Sequence, residues 1–197
     1  IEPTAVAVHA VRIADVKLCD TVVILGGGLI GSLIAQVVKL AGPREIIVTD
    51  INRSRLADIK KYGCTVINSA ECDAVAEVMK LTGGRGADVV FEVTGREATA
   101  VQMGKMARVR GEIVMVGMPK DPPKTDLLSV GFKELTVKGV RVYAPFDFER
   151  AIDVAARGLV NVNSLISHRL DLSEAPKGFE LKKNAPSALK VLIKTKQ

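Results

Sequence analysis

The sequence predicts an α/β fold: a doubly wound parallel sheet of six strands, followed by a short C-terminal α/β extension. Two observations predict this fold. Short apolar runs of strand length alternate along the chain with segments of helical periodicity, which is the pattern of a parallel sheet covered by helices on both faces. The first apolar run also leads directly into a glycine-rich turn and then a helix, over residues 20–39. With 197 residues and 48% hydrophobic composition, the chain can bury one large core.

The predicted elements of the first half end at glycine or proline. A short helical segment at residues 5–11 carries His9 on its apolar face, where a single histidine is expected to pack in the core rather than bind a metal. The helix after the glycine turn stops at Gly42 and Pro43, and Asn52 or Ser54 caps the next helix. In chain order the predictions are strand 21–25, helix 29–41, strand 45–50, helix 52–62, strand 65–68 and helix 73–81.

The second half of the sheet continues this alternation and leads into the C-terminal extension. The predictions are strand 87–93, helix 97–107, strand 111–117, a short helix or turn at 127–132 and a sixth strand at 134–142. The remainder is predicted as helix 146–158, an extended segment 165–172, helix 173–183 and strand 188–194. It is too small for a domain of its own, and the sequence shows no partner for its last strand.

A glycine-rich turn follows the first strand with the spacing G-x-G-x-x-G, at Gly26, Gly28 and Gly31. In a dinucleotide site the first glycine permits a tight exit from the strand, the second lets the backbone approach a pyrophosphate, and the third lets the helix pack closely on the strand. Free N–H groups at the start of the helix would face the anion. The motif alone is also compatible with a simple turn.

A membrane-spanning helix is the formal alternative for the same stretch. Residues 21–38 carry no charge, and Gly27 and Gly31 form a G-x-x-x-G pattern. Three consecutive glycines would each cost such a helix about 1 kcal/mol relative to alanine. The uncharged stretch between Asp20 and Lys39 is also barely long enough to span a bilayer. We therefore predict no membrane association.

An acidic residue, Asp50, ends the second strand about twenty residues beyond the last glycine, which is the spacing of dinucleotide sites. A carboxylate at this position can accept hydrogen bonds from both hydroxyl groups of an adenosine ribose. Ile51 follows it, so no arginine is immediately adjacent to hold a 2′-phosphate. The sequence therefore favours NAD over NADP, although Arg53 and Arg55 lie nearby.

Charge and cysteine content restrict the partners and the compartment. The net charge of +6 is concentrated in the lysine-rich tail at residues 177–196. Aromatic content of 4% and the lack of tryptophan provide few platforms for base stacking, so a solvated basic face or an acidic protein partner is favoured over nucleic acid. Three widely spaced cysteines form neither a disulfide framework nor a metal knuckle, which is typical of the cytoplasm.

Several stretches, in their order along the chain, resemble the zinc-dependent medium-chain dehydrogenases, and among them the sorbitol (polyol) and threonine dehydrogenase branch. The resemblance covers essentially the whole chain. It implies an NAD-binding Rossmann domain at residues 16–143, preceded by the end of a catalytic domain at 1–15 and followed by a C-terminal segment, 144–197, that packs with that domain. The matching stretches are 2–3, 7–10, 20–31, 48–50, 55–56, 83–89, 116–119, 138–140 and 167–169.

The resemblance also implies which residues contact the cofactor. Ile30 and Gly31 would lie against the pyrophosphate. Asp50 would bind the adenosine ribose and Arg55 would cover the adenine side, while the nicotinamide would meet the ends of strands four to six. The complete set of expected cofactor-binding residues is Gly26, Gly28, Leu29, Ile30, Gly31, Asp50, Ile51, Arg55, Val93, Thr94, Val116, Gly117, Met118, Val140 and Arg141.

Few residues of this sequence match the ligands of the catalytic zinc in that family. Glu2 matches the acidic position that approaches the zinc in polyol-type members, but the family's cysteine ligand, its histidine–glutamate pair and its four-cysteine lobe have no counterpart. Val142 stands where polyol dehydrogenases usually place an arginine, and Arg141 would point to the other face of the strand. The substrate alcohol is therefore left open, and no catalytic residue is assigned.

The first functional hypothesis is the NAD-binding portion of a zinc-dependent alcohol or polyol dehydrogenase that oxidises a secondary alcohol by hydride transfer. A stand-alone nucleotide-binding or regulatory module is the alternative. A methyltransferase also combines a glycine-rich turn with an acid after strand two, but Gly31 and the sixth strand argue against it. We expect the chain alone to be inactive with added zinc, and to form a homodimer or homotetramer through edge strand 135–142.

Overall fold

The computed structural model describes residues 1–185 and 188–195. Its strands are β1 Thr21–Leu25, β2 Glu45–Asp50, β3 Thr65–Asn68, β4 Ala87–Glu92, β5 Ala107–Met115, β6 Thr136–Gly139, β7 Ile166–Asp171 and β8 Lys190–Lys194. Its α-helices are α1 Glu2–Ala14, α2 Leu29–Lys39, α3 Arg53–Lys60, α4 Ala74–Leu81, α5 Glu97–Met106, α6 Leu127–Phe132, α7 Pro145–Ala156 and α8 Ala175–Asn184. Short 3₁₀ turns lie at Asn163–Leu165 and Leu172–Glu174.

The strands β1 to β6 form one parallel sheet in the order β3-β2-β1-β4-β5-β6. This order confirms the doubly wound fold predicted from the sequence. β1 and β4 are neighbours in the sheet although two other strands separate them along the chain, so the order of the strands reverses between them. In an open sheet of this kind the ligand crevice lies outside the carboxyl ends of the strands at such a reversal.

Alternate residues of the central strands supply two separate hydrophobic cores. On one face Val22 and Ile24 belong to the core that includes residues of α1, α2 and α7. On the other face Val23 and Leu25 belong to the core that includes residues of α4 and α5. Burial of each such side chain contributes about 1.5–3 kcal/mol, and coverage of both faces explains why β1 is apolar at nearly every position.

Side chains satisfy the ends of several helices. Asn52 caps α3 by accepting hydrogen bonds from the N–H groups of Ser54 and Arg55, at 2.9 and 3.2 Å, so Asn52 and not Ser54 is the cap. At the other end of a helix, the Lys133 ammonium donates to the carbonyl oxygens of Gly104, Lys105 and Ala107, where α5 ends. Burial lowers the pKa of Lys133.

The sixth strand is shorter than predicted, because β6 spans Thr136–Gly139 and not residues 134–142. Beyond it, Val142 has a φ of +57°, a left-handed conformation that does not continue a strand and that is rare for a β-branched residue. β5 is instead longer than predicted, because it begins at Ala107 and not at residue 111. A register shift against β4 at its start accommodates the longer strand.

The last strand, for which the sequence shows no partner, pairs in parallel with β7. Ile166 lies opposite Lys190, and Asp171 lies opposite Lys194. Helix α8 connects the two strands and packs against both of them. The sequence did not reveal this partner, because a parallel pair needs a crossover connection and its two members are therefore never adjacent in the sequence.

A buried carboxylate, Asp88, ties together the amino end of the sheet. It accepts hydrogen bonds from the Arg85 and Arg108 guanidinium groups, both at 2.6 Å, and from the Thr21 N–H at 2.8 Å. Burial alone would raise the pKa of Asp88, but these donors hold that pKa below its ordinary value. The cluster lies at the end of β4 opposite to the carboxyl ends of the strands, so its role is to hold the sheet together.

Candidate functional site

The turn between β1 and α2 depends on two of its three motif glycines. Gly26 has a φ of +111°, which side chains disfavour, and its N–H donates to the Thr49 carbonyl at 2.8 Å. A Cβ on Gly31 would overlap the carbonyl oxygen of Gly26, so only glycine permits this approach of helix and turn. Gly28 differs, because a Cβ there would meet nothing within 4 Å. The space in front of Gly28 is open to a ligand.

Helix α2 begins at this turn without a side-chain cap. Gly28 is its N-cap residue, and its first turn contains no acidic residue. The first N–H groups of a helix have no partner within the helix, and the helix dipole adds partial positive charge there. The neighbouring helices α3 and α4 are instead capped by Asn52 and Asp73. The start of α2 is therefore suited to an anion such as a phosphate group.

The carboxylate of Asp50 is fixed beside this turn at the end of β2. One oxygen, Oδ2, accepts a hydrogen bond from the Gly27 N–H at 2.7 Å, and Oδ1 accepts one from the Asn52 N–H at 2.8 Å. The Arg55 guanidinium lies 3.7 Å from Oδ2. Each carboxylate oxygen can accept further hydrogen bonds, so Asp50 can bind a pair of hydroxyl groups next to the open space at Gly28.

A cavity of about 610 Å³ opens between these elements at the carboxyl ends of β1, β2 and β4. It brings together many of the residues that the sequence singles out: Gly26, Gly28, Leu29, Ile30, Gly31, Asp50, Ile51, Arg55, Val93 and Thr94. Its remaining lining was not predicted and consists of Thr49, Ser69, Arg96, Ala98, Thr99, Gln102 and Lys182. Lys182 comes from the distant helix α8, and no local pattern in the sequence indicates it.

A second cavity, of about 630 Å³, lies between α4 and α5. It shares Ala98 and Gln102 with the first cavity but contains none of the predicted cofactor-binding residues. The two volumes are similar, so volume does not distinguish the cavities. The glycine turn, the uncapped start of α2 and the fixed carboxylate of Asp50 all belong to the first cavity, which we therefore take as the candidate site.

Glu92, at the carboxyl end of β4, is a residue of this region that the sequence analysis missed. Its side chain is 2% exposed. The carboxylate accepts hydrogen bonds from the Thr94 and Gly95 N–H groups, at 2.9 and 3.1 Å, and lies 2.8 Å from the Thr99 hydroxyl group. It thereby fixes the turn that leads from β4 to α5. A glutamate at the end of a strand that is apolar at most positions was the available signal.

The turns after β4 and β5 interlock in front of Glu92. The N–H groups of Val116 and Gly117 donate to the Glu92 carbonyl oxygen at 2.8 and 2.9 Å. A Cβ on Gly117 would overlap the nitrogen of Gly95 and lie 2.5 Å from Glu92 Oε2. A Cβ on Gly95 would lie 2.8 Å from the backbone carbon of Met118. These turns are therefore held at a separation that side chains at either glycine would not allow.

The predicted residues at the ends of β5 and β6 lie outside the cavity lining. Val116, Gly117 and Met118 follow β5, where Met118 is 70% exposed. Val140 is buried and its N–H donates to the Met115 carbonyl at 3.0 Å, whereas Arg141 is exposed. They lie at the carboxyl edge of the sheet, and their contact with a ligand stays a prediction.

The loop after β6 is tied to helix α1 by the fully buried Asp147. This carboxylate accepts hydrogen bonds from Arg12 Nε at 2.8 Å and from the Ala144 N–H at 3.0 Å, and His9 Nδ1 lies 2.8 Å from it. Burial would raise the pKa of Asp147, but these partners lower it. His9 is partly buried, as expected of a residue on the apolar face, yet its principal contact is this carboxylate and not the apolar core.

Glu2, the predicted metal ligand, lies exposed at the start of α1. Within residues 1–185 and 188–195, no group of three or more histidine, cysteine, aspartate or glutamate side chains could hold a metal ion. A zinc site needs three or four such ligands. The residues that the structure describes therefore do not fit a zinc centre. The same residues contain no helix long and apolar enough to cross a membrane.

Comparison with known proteins identifies relatives over nearly the whole chain. A family model described as zinc-binding dehydrogenase matches residues 30–157. The chain is 38% identical over 193 residues to 2-dehydro-3-deoxy-L-galactonate 5-dehydrogenase of Pseudoalteromonas atlantica, covering 98% of this chain and 56% of that protein. It is 33% identical over 187 residues to sorbitol dehydrogenase 1 of Saccharomyces cerevisiae, covering 91% and 52%. The chain thus spans about half the length of the curated relatives it matches.

Solved structures share the fold. An Escherichia coli dehydrogenase of unknown specificity superimposes with a TM-score of 0.95 at 33% identity, covering 100% of this chain and 56% of that one. A zinc-binding dehydrogenase from Sinorhizobium meliloti, solved with NADP, superimposes with a TM-score of 0.89 at 30% identity, covering 98% of this chain and 57% of that one. An alcohol dehydrogenase from Escherichia coli, solved with NADH, superimposes with a TM-score of 0.89 at 25% identity, again covering 98% of this chain and 57% of that one.

Proposed function

Because the chain belongs to the zinc-binding dehydrogenase family, we propose that it binds NAD(H) and forms the cofactor-binding part of an enzyme that oxidises a secondary alcohol or polyol. The family predicted from the sequence is confirmed by the match at residues 30–157 and by relatives named as polyol dehydrogenases. The activity of the intact enzyme is part of the proposal, since the chain spans about half the length of those relatives.

The observation that carries this proposal is the contact between Asp50 and the glycine turn. The 2.7 Å hydrogen bond from the Gly27 N–H holds the carboxylate beside the open space at Gly28 and the uncapped start of α2. A ribose acceptor and an anion site at this separation match the adenosine half of a dinucleotide. Ile51 is 69% exposed next to them and offers an apolar surface to the adenine.

NAD, when bound, supplies the nicotinamide C4 atom that receives a hydride from the substrate alcohol. The residues of this chain would bind and orient that cofactor. Asp50 would accept the ribose hydroxyl groups, the backbone at Gly28–Gly31 would receive the pyrophosphate, and the turns at 93–95 and 116–118 would meet the nicotinamide. The residues described here do not fit zinc, so we assign activation of the alcohol to no residue of this chain.

Titration calorimetry with NAD⁺, NADH, NADP⁺ and NADPH tests this function on the wild-type chain. We expect NAD(H) to bind at least about tenfold more tightly than NADP(H), because Asp50 would repel a 2′-phosphate; a tenfold difference corresponds to 1.4 kcal/mol. Equal affinities would contradict the cofactor preference. The absence of binding by all four nucleotides would contradict the proposed function.

We further propose the domain arrangement implied by the sequence: residues 1–15 end a catalytic domain, 16–143 form the NAD-binding domain, and 144–197 pack with the catalytic domain. The exposed side chains of Phe179 and Leu172, at 77% and 61%, support a covering partner for the last segment. The substrate of the intact enzyme would be a small alcohol. A cytoplasmic location is supported by the free cysteines Cys19, Cys64 and Cys72.

Self-association through the edge strand β6 is the remaining proposal, and a homodimer is its simplest form. β6 lies at the end of the strand order, and Val137 on it is 42% exposed. Leu127, Leu128 and Phe132 on the adjacent helix α6 are 72%, 70% and 82% exposed. An open edge with such apolar neighbours favours pairing with a second copy.

Substitution of Val137 by proline should convert the assembly to monomers. The Val140 N–H points inward to Met115, and alternate residues of a strand point their N–H groups to opposite edges, so the Val137 N–H is directed outward. Proline removes that donor. Light scattering at high protein concentration measures the mass, with the exposed Leu81→Lys on α4 as control. A wild-type chain that is strictly monomeric would refute this interface.

A further inference from the structure

The carboxylate of Glu92 is a buried charge without a countercharge. Its partners are N–H groups and hydroxyl groups of Thr94, Gly95 and Thr99, and no lysine or arginine pairs with it in the part of the chain that the structure describes. Hydrogen bonds from backbone N–H and hydroxyl groups compensate a buried carboxylate that has no ion-pair partner. Asp88, at the other end of β4, differs in having two arginine partners.

This charge lies at the nicotinamide end of the proposed cofactor site. Val93 and Thr94, the next residues of the chain, line the cavity. Oε2 of Glu92 lies against Gly117, 2.5 Å from where a Cβ of that residue would be. Arg96, which also lines the cavity, is exposed and its charge is therefore screened by solvent and salt. The buried carboxylate is accordingly a charge that would act on a ring bound between the two turns.

We propose that Glu92 makes the site discriminate between the two oxidation states of the cofactor. The nicotinamide ring of NAD⁺ carries a positive charge and that of NADH is neutral, so a buried negative charge nearby stabilises the oxidised form relative to the reduced form. Two charges roughly 10 Å apart at an effective dielectric constant of about 20 interact strongly enough to change an affinity about tenfold. Glu92 is thus a positioning residue with an electrostatic effect, and the inference rests on the proposed function.

The substitution Glu92→Gln tests this inference. Glutamine keeps the shape and one oxygen acceptor for the Thr94 and Gly95 N–H groups but removes the charge. Calorimetry on the whole chain gives the Kd for NAD⁺ and for NADH. We expect the affinity for NAD⁺ to fall about tenfold and that for NADH about twofold or less, as the Coulomb estimate implies. Equal weakening of both, which a merely structural role predicts, or no change in either, would overturn the inference.

Asp88→Asn is the matched control, because it makes the same chemical change to a buried acid at the opposite end of the same strand. It should reduce stability and leave the ratio of the two dissociation constants unchanged. A change of that ratio as large as that in Glu92→Gln would overturn the assignment to Glu92. Both substitutions replace a buried carboxylate by its amide, but Asp88 lies at the end of β4 away from the candidate site and is paired with Arg85 and Arg108.

A further variant keeps the inference open to refutation if Glu92→Gln does not fold. Glu92→Asp keeps the charge and shortens the side chain, so the ratio of the two dissociation constants should stay within about twofold of the wild-type ratio, since the Coulomb interaction changes slowly with distance. If the ratio of the two dissociation constants changed by much more than twofold in Glu92→Asp, although the charge is retained, the inference would be overturned. A wild-type chain that binds neither NAD⁺ nor NADH would overturn the proposed function and this inference together. Normal binding by the wild type, with the same ratio of dissociation constants in Glu92→Gln, would overturn only the inference.

Discussion

Gly31→Ala is expected to lower the free energy of unfolding by at least about 3 kcal/mol and to abolish cofactor binding. A Cβ at this position would overlap the carbonyl oxygen of Gly26. The Cβ is attached rigidly to α2 and the carbonyl oxygen belongs to the turn after β1, so no flexible side chain can move away. The helix must shift off the turn, which breaks the core around Ile24. Urea denaturation followed by circular dichroism measures the loss.

Gly28→Ala separates folding from binding and is the control for this prediction. A Cβ at Gly28 would meet nothing within 4 Å, and the residue has a φ of −70° that alanine adopts readily. We expect its stability to change by about 0.5–2 kcal/mol at most, the range of N-cap substitutions, while the affinity for NAD(H) falls because the methyl group enters the space of the pyrophosphate. Unfolding of both variants at the same urea concentration would contradict this explanation.

Asp50→Ala is expected to weaken the binding of NAD(H) at least about 100-fold. Two hydrogen bonds from the ribose hydroxyl groups to a charged acceptor contribute about 1.5–3 kcal/mol each, and each 1.4 kcal/mol is a factor of ten in affinity. The affinity for NADP(H) should fall less, because the substitution also removes the repulsion between the Asp50 carboxylate and the 2′-phosphate. Calorimetry with both cofactors measures the two changes.

The structural role of Asp50 must be distinguished from its role in recognition. Its carboxylate also accepts the hydrogen bonds of Gly27 and Asn52, so the substitution loosens the turn itself. If that were its entire effect, the affinities for NAD(H) and NADP(H) would fall by the same factor. Asp126→Ala is the control, because Asp126 caps α6 outside the cavity and should affect stability without affecting affinity.

The first half of the fold was predictable because its signals are local. β1, β2 and β3 have the bounds that the sequence predicts. An apolar run, a glycine turn and an acid at fixed spacing are sufficient to place the start of α2 beside Asp50, since each depends only on its immediate neighbours in the chain. The part of the candidate site formed by the glycine turn, the start of α2 and Asp50 therefore follows from the sequence.

The rest was not predictable because it depends on contacts between distant segments. The partner of β8, the approach of Lys182 to the cavity and the contact of His9 with Asp147 all join elements that no spacing rule relates. Glu92 is a different case: its position in an apolar strand suggests burial, but only the structure shows that its hydrogen-bond donors come from the turn that follows. Polar groups are satisfied by tertiary packing, which one sequence does not encode in any local pattern.

The interlock of Gly95 and Gly117 determines which positions at the carboxyl ends of β4 and β5 can tolerate substitution. A side chain at Gly117 would meet backbone and Glu92, and one at Gly95 would meet backbone on the opposite turn. A change at one glycine therefore cannot be compensated by a smaller residue at the other. Directed evolution of this region should leave both glycines intact and draw its diversity from the side chains of Val93, Val116 and Met118.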